Sequence, residues 1–228
     1  MSETDSFIDE VSEEVRRDRL FATLKKYGWI GILAVVVLVA GASWNEWRKA
    51  QQRAEAEALG DSILAALERD TRTARAEALG TLETPPGAAG ALTTLLAAGE
   101  QSSSDAEGSA QRLLALSDDP SVPQVYRQIA VLKAVAIPGS GLDPATRRER
   151  LEALVPGGGL VRLLAQEQLA LLSLEEGRTD LALEQLRAVR EDAEITNGLR
   201  QRIDQLIVAL GFDPRPEVAR QAEDGADQ

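Results

Sequence analysis

The sequence predicts an all-α protein, in which a single-pass transmembrane helix precedes a degenerate helical solenoid. Three observations support this prediction. One stretch near the N-terminus is uncharged and strongly apolar. Aromatic residues make up only 4% of the chain, which is low for a β-sandwich or barrel, while helix-forming Ala, Leu, Glu and Arg are abundant. Glycines also recur after apolar helical patterns at a spacing of about 40 residues, as in helical repeats.

Residues 1–26 are predicted to form a cytoplasmic amphipathic segment. Apolar residues recur there at three- and four-residue spacing, and Ser6 and Asp9 are placed as a capping box. Basic residues are more frequent before the apolar stretch than after it, and this bias predicts a cytoplasmic N-terminus. The basic residues that set this topology are Arg16, Arg17, Arg19, Lys25 and Lys26.

Residues 27–47 are predicted to span a membrane as one helix. The segment from Tyr27 to Asn45 carries no charge, and its helical rise of roughly 29 Å approaches the ~30 Å hydrocarbon thickness of a bilayer. Trp29 lies near one end, and Trp44 and Trp47 lie at the other, where indole rings favour the membrane interface.

A second interpretation of the same stretch is a cleaved leader. Ala40, Gly41 and Ala42 have the small-x-small pattern of a signal-peptidase site, and the residues before them could serve as its apolar region. We favour a retained anchor, because the preceding segment is long, acidic as well as basic, and patterned as an amphipathic helix. Cleavage after Ala42 remains the alternative.

The remainder is predicted to consist of connecting helices over 48–84, a solenoid over 85–210 and a disordered acidic tail over 211–228. Gly99, Gly139 and Gly177 are each expected to follow an apolar helix and to precede a more amphipathic one. A final amphipathic pattern from Ile195 to Leu210 predicts the capping helix that repeat arrays require.

The third unit is similar to a tetratricopeptide repeat. Gln166 and Ser173 stand where the consensus of that repeat has packing aromatic residues. A turn is predicted at Gly177, in a left-handed conformation, with a new N-cap at Thr179 or Asp180. The residues predicted to pack the two helices of this unit are Leu169, Ala170, Gly177, Ala182 and Leu186.

The chemistry of the sequence argues against catalysis. The chain has no His and no Cys, so Ser–His and Cys–His pairs and zinc sites of His or Cys are excluded. The Gly157–Gly159 run lacks both a preceding strand and a following Lys-Ser/Thr pair, which predicts an interrepeat loop. A net charge of −12 disfavours nucleic-acid binding. We therefore predict a non-enzymatic protein with no catalytic residues, cofactor, metal or small-molecule substrate.

The stretch FIDEVSEEVRRDRLFATLKKYGW and the order of segments after it resemble the YfgM family of ancillary SecYEG translocon subunits. The resemblance implies a single-pass protein of the bacterial inner membrane with a cytoplasmic N-terminus and a periplasmic helical domain. It implies as partners a SecYEG-type translocon and a periplasmic chaperone, and a role in protein export. It carries over no individual functional residues. Cleavage would instead give a soluble periplasmic tetratricopeptide-type regulator of envelope assembly or division, and self-association of the domain is a third alternative.

Overall fold

The computed structural model describes the backbone of residues 3–214, with side chains described for 25–26, 29–31 and 33–214. Within this part of the chain the protein is entirely α-helical apart from turns and one 3-10 turn, and it contains no strand. The predicted all-α class is thereby confirmed. The chain divides into two compact units, Met1–Gly60 and Asp61–Gln228.

Helix α1 runs without interruption from Glu3 to Leu67. Its sequence contains no proline, so no ring clash or missing amide donor breaks the hydrogen-bond ladder. Gly31, Gly41 and Gly60 are all accommodated within it. The helix thus continues beyond the apolar stretch into the segment predicted to hold the connecting helices. The backbone has no break at residue 26 or 47, and the side chains of the predicted amphipathic pattern lie outside the described residues.

The second unit contains eight further α-helices within the described chain. Thr71, Asp105, Asp143 and Thr196 each cap the helix that follows, because their side-chain oxygens accept a hydrogen bond from a backbone N–H of its first turn. The helices are α2 (Arg72–Gly80), α3 (Ala88–Gln101), α4 (Ala106–Asp118), α5 (Gln124–Ala136), α6 (Pro144–Glu152), α7 (Gly159–Glu175), α8 (Thr179–Glu191) and α9 (Asn197–Ala209), with a 3-10 turn at Val155–Gly157 between α6 and α7.

Four apolar clusters hold these helices together among the described residues. The first joins the end of α1 to α2 and α3, the second joins α3, α4 and α5, the third joins α5, α6 and α7, and the fourth joins α7, α8 and α9. Helices α3, α5 and α7 therefore each contribute to two clusters. Each helix packs chiefly on its neighbours in the sequence, and α5 also contacts both α3 and α7.

The turn between α7 and α8 is built on Gly177, whose φ is +75°. This is the left-handed conformation expected of it, and it ends α7 with a 2.8 Å hydrogen bond from the Arg178 N–H to the Ser173 carbonyl. The predicted N-cap at Thr179 or Asp180 is wrong: α8 already begins at Thr179, with Arg178 at the cap position and no side-chain cap bond. Only three residues separate α7 from α8, so the cap position falls on Arg178.

Two other expectations about the helix ends are corrected. Gly99 does not end a helix, since α3 continues to Gln101 and the Ser102 hydroxyl donates back to the Gly99 carbonyl at 2.9 Å. Ile195 precedes α9 but is still buried in the fourth cluster. Of the predicted tail, residues 215–228 lie outside the described residues.

Candidate membrane segment and protein-binding surfaces

The portion of α1 from Trp29 to Leu67 has the length and mean hydropathy, 1.6 over its most apolar window, of a membrane-crossing helix. None of that window is buried against other described parts of the chain. Val35 to Val39 have side chains between 56% and 72% exposed. A contiguous apolar surface of this kind is unfavourable in water and requires either a bilayer or another protein to cover it.

Tryptophans lie at both ends of the apolar stretch. Trp29 and Trp44 are each 62% exposed, and the ring centroids of Trp44 and Trp47 lie 5.3 Å apart. Along α1 the indoles enclose roughly 22–27 Å of helix rise, which is close to the hydrocarbon thickness of a bilayer. The exposed Lys25 and Lys26 precede Trp29. The side chains of Arg16, Arg17 and Arg19 lie outside the described residues.

Of the residues predicted to pack the third repeat, four are buried, whereas Gly177 lies exposed in the turn after α7. The four buried residues are divided between two clusters. Ala170, Ala182 and Leu186 have no exposed surface, and Ala170 and Leu186 share the α7–α8–α9 cluster. Leu169 packs in the α5–α6–α7 cluster and also lines a cavity that residues of α8 border. Adjacent residues on α7 point toward different neighbouring helices, which divides the predicted set between the two clusters.

Gln166 and Ser173, which the sequence analysis aligned with the aromatic positions of the repeat consensus, have different surroundings. Ser173 is fully buried, and its hydroxyl oxygen lies 3.0 Å from both the Leu169 carbonyl oxygen and Gln185 Oε1. Gln166 lines an open cavity of about 450 Å³ between α6, α7 and α8. Gln185 lines the same cavity. Ser173 is thus a buried polar position, and Gln166 borders unfilled space.

Ion pairs join helices about 30 residues apart on the surface of the second unit. Arg162 donates to both carboxylate oxygens of Asp192, at 2.9 and 3.1 Å, and to Glu194 at 2.8 Å. The hydrogen bond from Arg162 holds the pKa of the Asp192 carboxyl below its ordinary value. Arg150 similarly pairs with Asp118, and its hydrogen bond lowers the pKa of that carboxyl. These pairs link α7 to the end of α8 and α6 to the end of α4.

A second cavity, of about 320 Å³, lies along the face formed by α5, α7 and α9. Leu132, Leu171 and Leu206 contribute its apolar lining. Beside them lies Glu167, which is only 3% exposed and accepts a 2.6 Å hydrogen bond from Arg202 Nε, with a further contact to the Arg202 guanidinium. A buried carboxylate needs such a partner, because desolvation strongly disfavours an unpaired charge.

These polar features are only weakly indicated by the sequence. Glu167 lies between Gln166 and Gln168 in the sequence, and an acidic residue in such a polar stretch is expected at the surface. Its partner Arg202 lies 35 residues away, and only the packing of α9 on α7 identifies it. Among the described residues, no three acidic side chains gather in a group that could hold a metal ion.

Comparison of the chain with protein-family models, with curated proteins and with solved structures finds no match in any of the three.

Proposed function

We propose that this chain is a membrane-anchored accessory protein of a bacterial Sec translocon, which it links to a periplasmic chaperone through a tetratricopeptide-like helical domain. The observation that carries the proposal is the combination of an exposed, tryptophan-bounded apolar helix with a separate unit made only of helices within its described residues. The first feature suits an anchor, and the second suits protein binding. The translocon and chaperone as partners derive from the resemblance of residues 7–49 to the YfgM family.

The order of the four apolar clusters supports a solenoid. Each cluster is shared by three consecutive helical segments, and α3, α5 and α7 each connect one cluster to the next. A repeat protein is held together in this way, because each unit buries its apolar surface only against its neighbours. Solenoids of this kind present extended surfaces on which partner segments bind.

The orientation that we propose has the N-terminus in the cytoplasm and the helical unit in the periplasm. It is supported by the larger number of basic residues before the apolar stretch than after it. The absence of cysteine makes the domain indifferent to the oxidising environment of that compartment.

Extraction of the tagged full chain in mild detergent, followed by crosslinking and mass spectrometry of the bait and its partners, tests the proposal. We expect an uncleaved bait together with Sec subunits and a periplasmic chaperone. A bait that begins near Ser43 and brings envelope-division proteins would reject the anchored accessory subunit in favour of a cleaved periplasmic regulator. A full-length bait recovered only with copies of itself would reject the translocon assignment.

A further inference from the structure

The cavity between α6, α7 and α8 has the composition of a binding site for an apolar group. Its volume of about 450 Å³ lies within the range of roughly 300–1,000 Å³ typical of ligand sites. Val155, Pro156, Leu169 and Val189 supply an apolar lining. Leu169 and Val189 are buried in the core, so this lining is held by the packed helices and not by mobile surface side chains.

The cavity lies at the position where the repeat consensus has a tryptophan. Gln166 occupies that position in α7 and lines the cavity, with its amide oxygen 3.4 Å from Arg162 Nη1. A tryptophan would bury about 150–250 Å² of its own surface at such a site. The shorter glutamine leaves this region open, so the fold presents a preformed recess of a size suited to a large side chain from elsewhere.

The electrostatic surroundings of the cavity favour a cation. Glu152 is the charged residue among those lining it, and it is exposed. The last turns of α6 and α8 also border the cavity, and the unpaired carbonyls of helix C-termini carry partial negative charge. The basic residues of these turns, Arg150 and Arg190, are paired with Asp118 and Asp204. The guanidinium of Arg162 beside Gln166 is likewise neutralised, since it pairs with two carboxylates, those of Asp192 and Glu194.

We propose that this cavity binds a bulky apolar side chain that lies next to a Lys or Arg on an extended segment of a partner protein. The proposal deepens the protein-binding function proposed above and rests on it. The apolar lining would cover the bulky side chain, Glu152 would pair with the neighbouring cation, and the amides of Gln166 and Gln185 would bind the partner's backbone. A second copy of the chain is a poorer occupant, because its net charge of −12 would be repelled by the carboxylate of Glu152 in the cavity lining.

Fluorescence anisotropy of labelled peptides with the full chain in nanodiscs of neutral phosphatidylcholine tests this proposal. The probe is the peptide GKWRGG, with GEWEGG and GKGRGG as controls that remove the positive charges or the indole. We expect GKWRGG to bind at least about tenfold more tightly than either control. Equal binding of all three peptides would overturn the proposal.

Variants of the chain locate the binding in the cavity. Ala188→Phe fills it from an exposed position, and Glu152→Lys reverses its charge. We expect each to weaken binding of GKWRGG about tenfold. Glu184→Lys makes the same charge change at an exposed site of α8 outside the cavity, and binding should stay unchanged. The cavity is not the site if Glu184→Lys weakens binding as much as Glu152→Lys. It is also excluded if Ala188→Phe binds the peptide as the wild type does and has the same melting temperature.

The chain's own tail is the remaining rival occupant, because Val218 lies between Arg215 and Arg220 in the sequence. A chain that ends at Pro214 should bind GKWRGG with unchanged affinity. Binding that becomes at least about tenfold tighter in this shorter chain would assign the cavity to the tail instead. These outcomes are independent of the translocon assignment. Peptide binding without Sec subunits in the native complex would reject only the translocon assignment. Sec subunits in the complex without peptide binding would reject only the cavity as a binding site.

Discussion

Replacing Arg202 with methionine is the sharpest test of the helical packing. Arg202 reaches from α9 to Glu167 on α7, and the Glu167 residue is only 3% exposed. Methionine keeps most of the length of the side chain and its apolar contacts but removes the guanidinium. The carboxylate of Glu167 would then be left buried between two helices with no cation to pair with it.

The size of the effect follows from the burial of the two partners. Removing one member of a buried ion pair costs about 3–5 kcal/mol. The Arg202 side chain is 52% exposed, so water can partly replace it, and we take the lower end of that range. A loss of about 3 kcal/mol in a unit of this size corresponds to a fall of about 6–12 °C in the melting temperature.

The assay is thermal unfolding of the full chain in detergent, followed by circular dichroism at 222 nm. Arg200→Met is the matched control, because Arg200 is exposed on the same helix and its substitution should leave the melting temperature nearly unchanged. The double variant Glu167→Leu, Arg202→Met should recover much of the loss, since neither charge then remains buried. A single variant Arg202→Met that melts within about 2 °C of the wild type would refute the reasoning.

Three further predictions concern the same unit. Ala182→Glu introduces a charge at a fully buried position of α8 and should disrupt the packing of α7 on α8. We expect the variant to lose the cooperative melting transition. A melting curve like that of the wild type would show that the α8 register is wrong. Gly177→Val should lower the free energy of unfolding by about 1–2 kcal/mol. The cause would be the φ of +75° alone, because no atom lies within 4 Å of an added Cβ. Gly177→Asn should cost less in the same denaturant titration, and equal losses for both variants would exclude backbone strain as the cause. Stability should decrease as the pH falls below about 4.5, because the paired carboxylates of Asp118 and Asp192 have lowered pKa values in the folded chain and their contribution is present only above the ordinary pKa. Asp192→Asn should reduce this pH dependence of the melting temperature, and an unchanged pH profile for the variant would contradict the assignment of Asp192.

The helical character of the chain could be predicted from local properties of the sequence. An uncharged apolar stretch and the lack of proline before Pro85 together account for a helix that continues from Glu3 to Leu67. The turn at Gly177 was equally predictable, because a glycine after an apolar helical pattern favours the left-handed conformation that ends a helix. Gly99 shows the limit of this signal, since this glycine lies inside α3, and its carbonyl accepts a hydrogen bond from the Ser102 hydroxyl.

The direction in which each helical face packs was decided only by the tertiary structure. Leu169 and Ala170 are adjacent and both buried, yet they belong to different clusters, because α7 lies between two sets of neighbours. The pairing of Glu167 with Arg202, 35 positions apart, and the cavity beside Gln166, whose lining extends from Glu152 to Val189, likewise depend on residues that are distant in the sequence. Local propensity determines where helices form. Which charges meet, and where space remains unfilled, depends on how helices that are distant in the sequence pack together.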